Sequence, residues 1–182
     1  MHKVFIFLIL TFFVIILSRK SLFHFHSHGF YRFFSWECIL WLLVSNSTYW
    51  FANPLSVKQI ISWILLFYSV YLVIAGAILL KKVGNPTSVR KEESLYAFEN
   101  TTILVETGIF SFIRHPLYSS LLFLTWGILL KNVTIDLLII ALISSILLYI
   151  TAIRDEKECI VYFGEKYILY MKRSKMFIPF IF

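Results

Sequence analysis

Apolar residues run along this chain in long blocks, with short polar intervals between them. A helix that crosses a bilayer needs about 20 predominantly apolar residues, because each residue adds about 1.5 Å of rise. Five blocks answer to that pattern, two of them short: residues 4–18, 33–52, 57–80, 116–130 and 135–153. They predict an all-α polytopic membrane protein of about five transmembrane helices. The first block also has the basic start and apolar run of a signal peptide. It ends in Ser18, Arg19, Lys20 and Ser21 rather than in a small-x-small cleavage site, so it is read as a span.

The charges lie in the intervals. Arg19, Lys20 and Arg32 come after the first block; Lys81, Lys82, Arg90, Lys91 and Arg114 separate the third from the fourth. Arg154, Lys157, Lys166, Lys172, Arg173 and Lys175 come after the fifth. With five spans these three regions share one side, and only Lys3, Lys58 and Lys131 of the 17 Lys and Arg residues fall on the other. Cytoplasmic loops carry the excess of Lys and Arg. The expectation is an external N-terminus and a cytoplasmic C-terminus, in a bacterial inner membrane. All acids but Asp136 lie on or near the cytoplasmic side, so any polar chemistry is expected there.

Composition agrees with the pattern. Of 182 residues, 59% are hydrophobic, 19% aromatic and 15% charged; the mean hydropathy is +0.81. A soluble domain of this size cannot bury so much apolar surface, and the figures exclude a disordered or fibrous chain as well. The net charge of +7 suits nucleic acid or a membrane surface. In so apolar a chain the bilayer is the expected partner and nucleic acid is not. There is no long internal repeat, linker or second domain, so residues 1–182 are read as one membrane-embedded unit. Cys38 and Cys159 form no CxxC or zinc-type spacing and are read as free thiols.

No two of the 6 glycines form a GxG pair, which excludes a Walker loop and a dinucleotide fingerprint; HExxH and GxSxG are also absent. The informative stretch is Arg114-His115-Pro116-Leu117-Tyr118. Pro116 suits the first position of a helix, because its missing N–H would be orphaned there anyway. His115 then falls at the cap, Arg114 adds a full charge, and the helix N-terminus makes the place attractive to an anion. A second polar cluster, from Arg154, Asp155 and Glu156 to Glu158, lies where the fifth block returns to the same side. The fourth and fifth blocks form a hairpin, so the two clusters are expected to meet. Together they would suit a zwitterionic ligand with a carboxylate, an ammonium and ribose hydroxyls.

These elements resemble the isoprenylcysteine carboxyl methyltransferase family and its bacterial phospholipid methyltransferase relatives. The resemblance rests on Gly108 and Phe110, then Arg114-His115-Pro116-Leu117-Tyr118. After the hairpin come Asp155-Glu156, Phe163-Gly164 with Tyr167 and Tyr170, and a late Ile178-Pro179. It implies a membrane methyltransferase that uses S-adenosylmethionine, with the cofactor-binding part at about 102–179 formed by the helical hairpin and the C-terminal tail. Carried over, the cofactor contacts are Thr102, Ile103, Leu104, Val105, Phe110, Arg114, His115, Pro116, Leu117, Tyr118, Asp155 and Glu156. The resemblance further implies a lipophilic acceptor that enters from the bilayer: a prenylated cysteine carboxylate, a phospholipid amine or another small lipid. Phe110 stands where a Tyr is usual, Asp155 where Glu is, and Thr151 where prenylcysteine enzymes place an Arg.

The remaining candidates come from the residues alone. If the acceptor must lose a proton, His115 and Glu156 are the candidate catalytic groups. Arg154 and Glu37 are candidate substrate contacts, Glu37 because an ionisable group within a span is costly. His24, His26 and His28 would share one face of an extended segment, but no acid or Cys stands beside them in sequence, and no metal is expected. Tyr167 and Tyr170 suit an interfacial aromatic belt as well as a ligand site. The alternatives to a methyltransferase are an NADPH-dependent reductase of sterol type and a non-catalytic membrane subunit. The acceptor and the oligomeric state stay open at this level.

Overall fold

A computed structural model describes residues 2–25, 27–86 and 96–181. His26, Arg90 and Lys91, named above, lie outside the described residues. The long helices are α1 (His2–Leu22), α2 (His28–Ser45), α3 (Val57–Lys82), α4 (Pro116–Leu129) and α5 (Ile135–Phe163), followed by a short α6 (Glu165–Arg173). No strand is formed among the described residues, only isolated bridges. The all-helical membrane architecture expected from the apolar blocks is what the chain adopts.

The count of spans needs correction. Among the described residues three helices, α1, α3 and α5, are long and apolar enough to cross a membrane by themselves. The other two fall short for different reasons. α4 has only 14 residues. α2 has 18 but carries His28, Arg32 and Glu37, and residues 46–52, expected to extend it, instead form a short 3-10 turn and bends. Both are packed within the bundle, where neighbouring helices satisfy what lipid cannot. In the other direction, α5 runs ten residues past the apolar block, and so carries the acidic cluster on rigid helix.

Small and hydroxylated residues hold the helices together, as expected where burial against lipid gives no drive for helices to associate. Between α3 and α4, Ser62 Oγ donates to the Gly127 carbonyl at 2.6 Å and Ser69 Oγ to the Ser120 carbonyl at 2.7 Å. Gly76 lies under Pro116 and Leu117, and Gly127 under Leu66, so the backbones approach closely at both ends. Between α2 and α5, Ser35 and Ser144 hydroxyls meet at 2.9 Å. Ile39, Leu42, Leu66, Ile128, Leu129, Leu137 and Ala141 fill the core between these contacts.

Side-chain contacts fix the two ends of the bundle. At one end, Asn46 Nδ2 donates to the Ile128 carbonyl at 2.8 Å, and Lys131 Nζ donates to Gln59 Oε1 at 2.9 Å. Lys3 donates to the Ser45 carbonyl at 2.7 Å. At the other end, α2 begins, α3 stops, α4 begins and the late part of α5 passes: Arg32 pairs with Glu99 at 3.1 Å, and Arg114 with Glu156 at 2.8 Å. The basic residues on which the topology reading rests therefore collect at the second end, apart from those outside the described residues.

Candidate functional site

The polar end of the bundle closes around one cavity. Its centre is the Arg-His-Pro segment, set by two local features. Pro116 opens α4 at its first turn. Ahead of it, Gly108 has φ of +60°, a conformation that suits glycine, and leads through a 3-10 turn into the segment. The C-terminal tail then pins the segment from outside. Arg114 N–H donates to the Lys175 carbonyl at 2.7 Å, His115 N–H to Met176 at 3.2 Å, and Lys175 N–H to Phe112 at 2.9 Å. Gly164, with φ of +62°, turns the chain out of α5 into α6, which returns Tyr167 and Tyr170 to the cavity.

Inside this frame the charged groups alternate. His115 Nδ1 lies 3.4 Å from Asp155 Oδ2, and its Nε2 lies 3.3 Å from Glu156 Oε1. Glu156 also accepts from Arg114 Nε at 2.8 Å. Arg114 Nη1 donates to the Ser174 carbonyl at 2.5 Å and to Met171 at 3.3 Å. His115 is only 5% exposed. Burial disfavours its charged form, but the hydrogen bonds and charges of Asp155 and Glu156 outweigh this and raise its pKa above the ordinary histidine value. A ring with a carboxylate at each nitrogen bonds both best when both nitrogens carry protons. Tyr118 stacks on that ring at 5.4 Å between centroids. In α6, burial raises the phenol pKa of both Tyr167 and Tyr170, and Tyr170 donates its hydroxyl to the Phe110 carbonyl at 2.6 Å.

The cavity has a volume of about 90 Å³. Of the residues expected at the site, Leu104, Val105, Phe110, Arg114, His115, Pro116, Leu117, Tyr118 and Asp155 line it. Thr102 and Ile103, with Leu104, line a second, more open space of about 510 Å³ that also has Phe163, Lys166 and Arg173 on its walls. Leu104 and Phe163 are shared, so the two spaces adjoin. Glu156 sits behind the cavity wall, bound to Arg114 and His115. Arg114 reaches the wall, and its nitrogens are bonded within the protein to Glu156 and to the Ser174 and Met171 carbonyls.

Besides Glu156, two candidates are not brought to either space. Arg154 lies 5.8 Å over the Tyr31 ring. Glu37 accepts from Thr11 Oγ1 at 2.6 Å, between α1 and α2, and its other oxygen is buried without a partner. Glu158 does not pair with Arg154 along the helix; it bonds His28, at the start of α2. Sequence reasoning missed Glu99, Thr101 and Cys159 as wall residues. Glu99 and Thr101 sit in a loop without periodicity, and only the turn after α3, where Thr102 and Ile103 N–H donate to the Gly84 carbonyl, delivers them. Cys159 was legible, being one turn beyond Asp155, toward which its thiol points at 3.7 Å. Neither cysteine is joined in a disulfide.

Fold and site together define an all-helical membrane protein with a polar pocket at one end of its bundle. The phospholipid methyltransferase family model matches residues 57–163, from the start of α3 to the end of α5, and the chain belongs to that family. The family resemblance read from the Arg-His-Pro and acidic elements is thereby borne out. Methanethiol S-methyltransferase of Pseudomonas deceptionensis is 34% identical to this chain over 71 residues, which is 39% of this chain and 26% of that protein. The match therefore spans about a quarter of that relative's length. No solved structure matches the chain.

Proposed function

We propose that this protein transfers a methyl group from S-adenosylmethionine to a lipophilic acceptor at the cytoplasmic face of a membrane. The observation that carries the reading is the meeting of His115, Asp155 and Glu99 with Phe110, Phe163, Tyr167 and Tyr170 around one pocket at the polar end of the bundle. These groups fit the cofactor's chemistry. The Asp155 and Glu99 carboxylates suit an ammonium and ribose hydroxyls, and the aromatic rings suit adenine and a sulfonium. The inner cavity holds only part of such a ligand, and the adjoining space beside Thr102 and Ile103 takes the rest.

The bound cofactor supplies an electrophilic methyl group. The protein's part is to orient the two reactants and to exclude water. Glu156 and Arg114 hold the His115 ring in place, and Tyr118 covers its face. The apolar walls Leu80, Val105 and Leu117 keep the pocket dry toward the helices, on the side from which a lipid would come. The N-terminus is external and the C-terminus cytoplasmic, in a bacterial inner membrane; the gathering of basic residues at the pocket end supports this orientation. Residues 1–182 act as one unit.

Radiolabelled S-adenosylmethionine binding to the purified protein in nanodiscs tests the reading. Wild type binds. Asp155→Ala and His115→Ala weaken binding by about tenfold or more, in line with about 1.5–3 kcal/mol for a hydrogen bond to a charged group. Binding of NADPH without binding of the methyl donor would sink the proposal.

A further inference from the structure

The chain after α6 does not stay at the polar end of the bundle. It turns back along α4. Arg114 N–H donates to the Lys175 carbonyl and His115 N–H to that of Met176. In the first turn of α4, Ser119 Oγ donates to the Phe177 carbonyl at 2.9 Å. Phe177 is buried with Tyr118, Leu148 and Ala152, and Met176 and Ile178 pack on the same cluster beside Leu121 and Leu122. Leu148 precedes Ile153, the end of the fifth apolar block, by five residues. At about 1.5 Å per residue it lies about 7.5 Å inside that block. The tail therefore descends to a depth at which the bundle is already surrounded by acyl chains.

The residues that follow are apolar and uncovered. Phe180 is 80% exposed and Ile181 76% exposed. Phe180 meets the Phe112 ring at 5.7 Å between centroids, and Phe112 is itself exposed. Packing within the bundle accounts for Phe177 but not for these side chains. Large apolar side chains left open together mark a contact surface, and their depth makes the bilayer the contact. Charge points the same way. Residues 166–182 hold Lys166, Lys172, Arg173 and Lys175 and no acid. Arg173 pairs with Glu106, Glu165 lies at the far end of α6, and Lys172 and Lys175 are exposed just ahead of the descending segment. Basic residues above an inserted apolar segment fit an anchor on anionic lipid. The segment lies outside the family-matched residues 57–163.

We propose that residues 176–181 form a wedge that docks on the anionic bilayer surface beside the pocket, and that this docking tunes binding at the pocket. Phe180 and Ile181 enter the boundary between headgroups and acyl chains, and Lys172 and Lys175 meet lipid phosphates. The statement about the pocket rests on the methyltransferase reading. The link is the backbone: carbonyls of the tail hold the N–H groups of Arg114 and His115, and the Phe177 ring lies 6.3 Å from that of His115. Docked, the wedge keeps the tail against α4 and the Arg-His-Pro segment in place. Undocked, Phe180 and Ile181 face water and the tail releases its hold more often. Occupancy of the pocket thus depends on the composition of the membrane.

Two measurements test this on the full chain. In the first, p-benzoylphenylalanine replaces Ile181, and the protein is irradiated in nanodiscs of phosphatidylcholine with phosphatidylglycerol. Intact mass shows a phospholipid adduct, as it does for the same replacement at Phe67, an exposed residue of α3. In the second, binding of labelled S-adenosylmethionine is compared in nanodiscs with and without phosphatidylglycerol. Wild type binds about fivefold more tightly in the anionic bilayer, as expected for lysines at an anionic surface. Lys172→Gln with Lys175→Gln abolishes the difference. Phe180→Ser with Ile181→Ser binds in both bilayers as wild type does in the neutral one. All four side chains are exposed, so neither variant is expected to disturb the fold. Lipid adducts at Phe67 without any at Ile181 overturn the proposal, and so does an adduct to a second copy of the chain in place of lipid. Equal donor binding by wild type in the two bilayers also overturns it. Failure of wild type to bind the donor in either bilayer sinks the methyltransferase reading and the link to the pocket with it, while the lipid adduct still decides the docking.

Discussion

His115 shows how a single side chain here takes its properties from its surroundings. The residue stands out in sequence because it precedes a helix-opening proline. Its charge state is set by Asp155 and Glu156, which arrive from a different helix. Its raised pKa has a definite sign: a histidine favoured as imidazolium in the fold stabilises it fully below its unfolded pKa of about 6.5, and that contribution is lost as pH rises through the folded value. Thermal unfolding in detergent is therefore expected to show stability falling as pH rises above about 6.5. His115→Gln flattens that decline; an unchanged slope would show that His115 is not its source. Tyr167 and Tyr170 carry the same lesson. As sequence they suit an interfacial belt as well as a ligand site; the turn at Gly164 rotates both inward, where they are buried.

At the scale of elements, the bundle depends on close approach. A Cβ at Gly127 would stand 2.9 Å from Leu66 Cγ and Cδ2 and 3.3 Å from its backbone nitrogen. Gly127→Val therefore has to push α3 away from α4. Overpacking of this kind costs about 1–3 kcal/mol, and equilibrium unfolding in micelles is expected to show a loss in that range. Ser69→Ala removes one interhelical hydrogen bond at the same interface and costs about 0.6 kcal/mol; a loss for Ser69→Ala equal to that for Gly127→Val would mean that packing is not what Gly127 protects. The apolar blocks predicted α1, α3, α4 and α5 well, because lipid-facing helices need continuous hydrophobicity. α2 was placed too late and was read as a span. Its first turn carries His28 and Arg32, and those are tolerated only because Glu158 and Glu99 reach them from elsewhere in the fold.

Across the whole molecule, the pocket forms where four segments end on one side. Among the described residues the same side holds most of the basic ones, which ties the orientation of the bundle to the place of its chemistry. A reporter domain fused after Phe182 is expected to be active only as a cytoplasmic fusion; activity on the opposite side would put the pocket outside the cell and remove its access to a cytoplasmic methyl donor. The sequence alone determined that the chain is a helical membrane protein, which end is basic, and that the Arg-His-Pro segment and the Asp155-Glu156 pair belong together. Those come from hydrophobic length, charge placement and ordered short-range motifs, all of which are one-dimensional quantities. The tertiary structure alone decided that Arg114 bonds Glu156 and the tail, that Glu99 reaches the pocket wall, and that His28 meets Glu158. The physical reason is the same in each case: a buried polar group takes its role from its partner, and these partners lie up to 130 positions away along the chain.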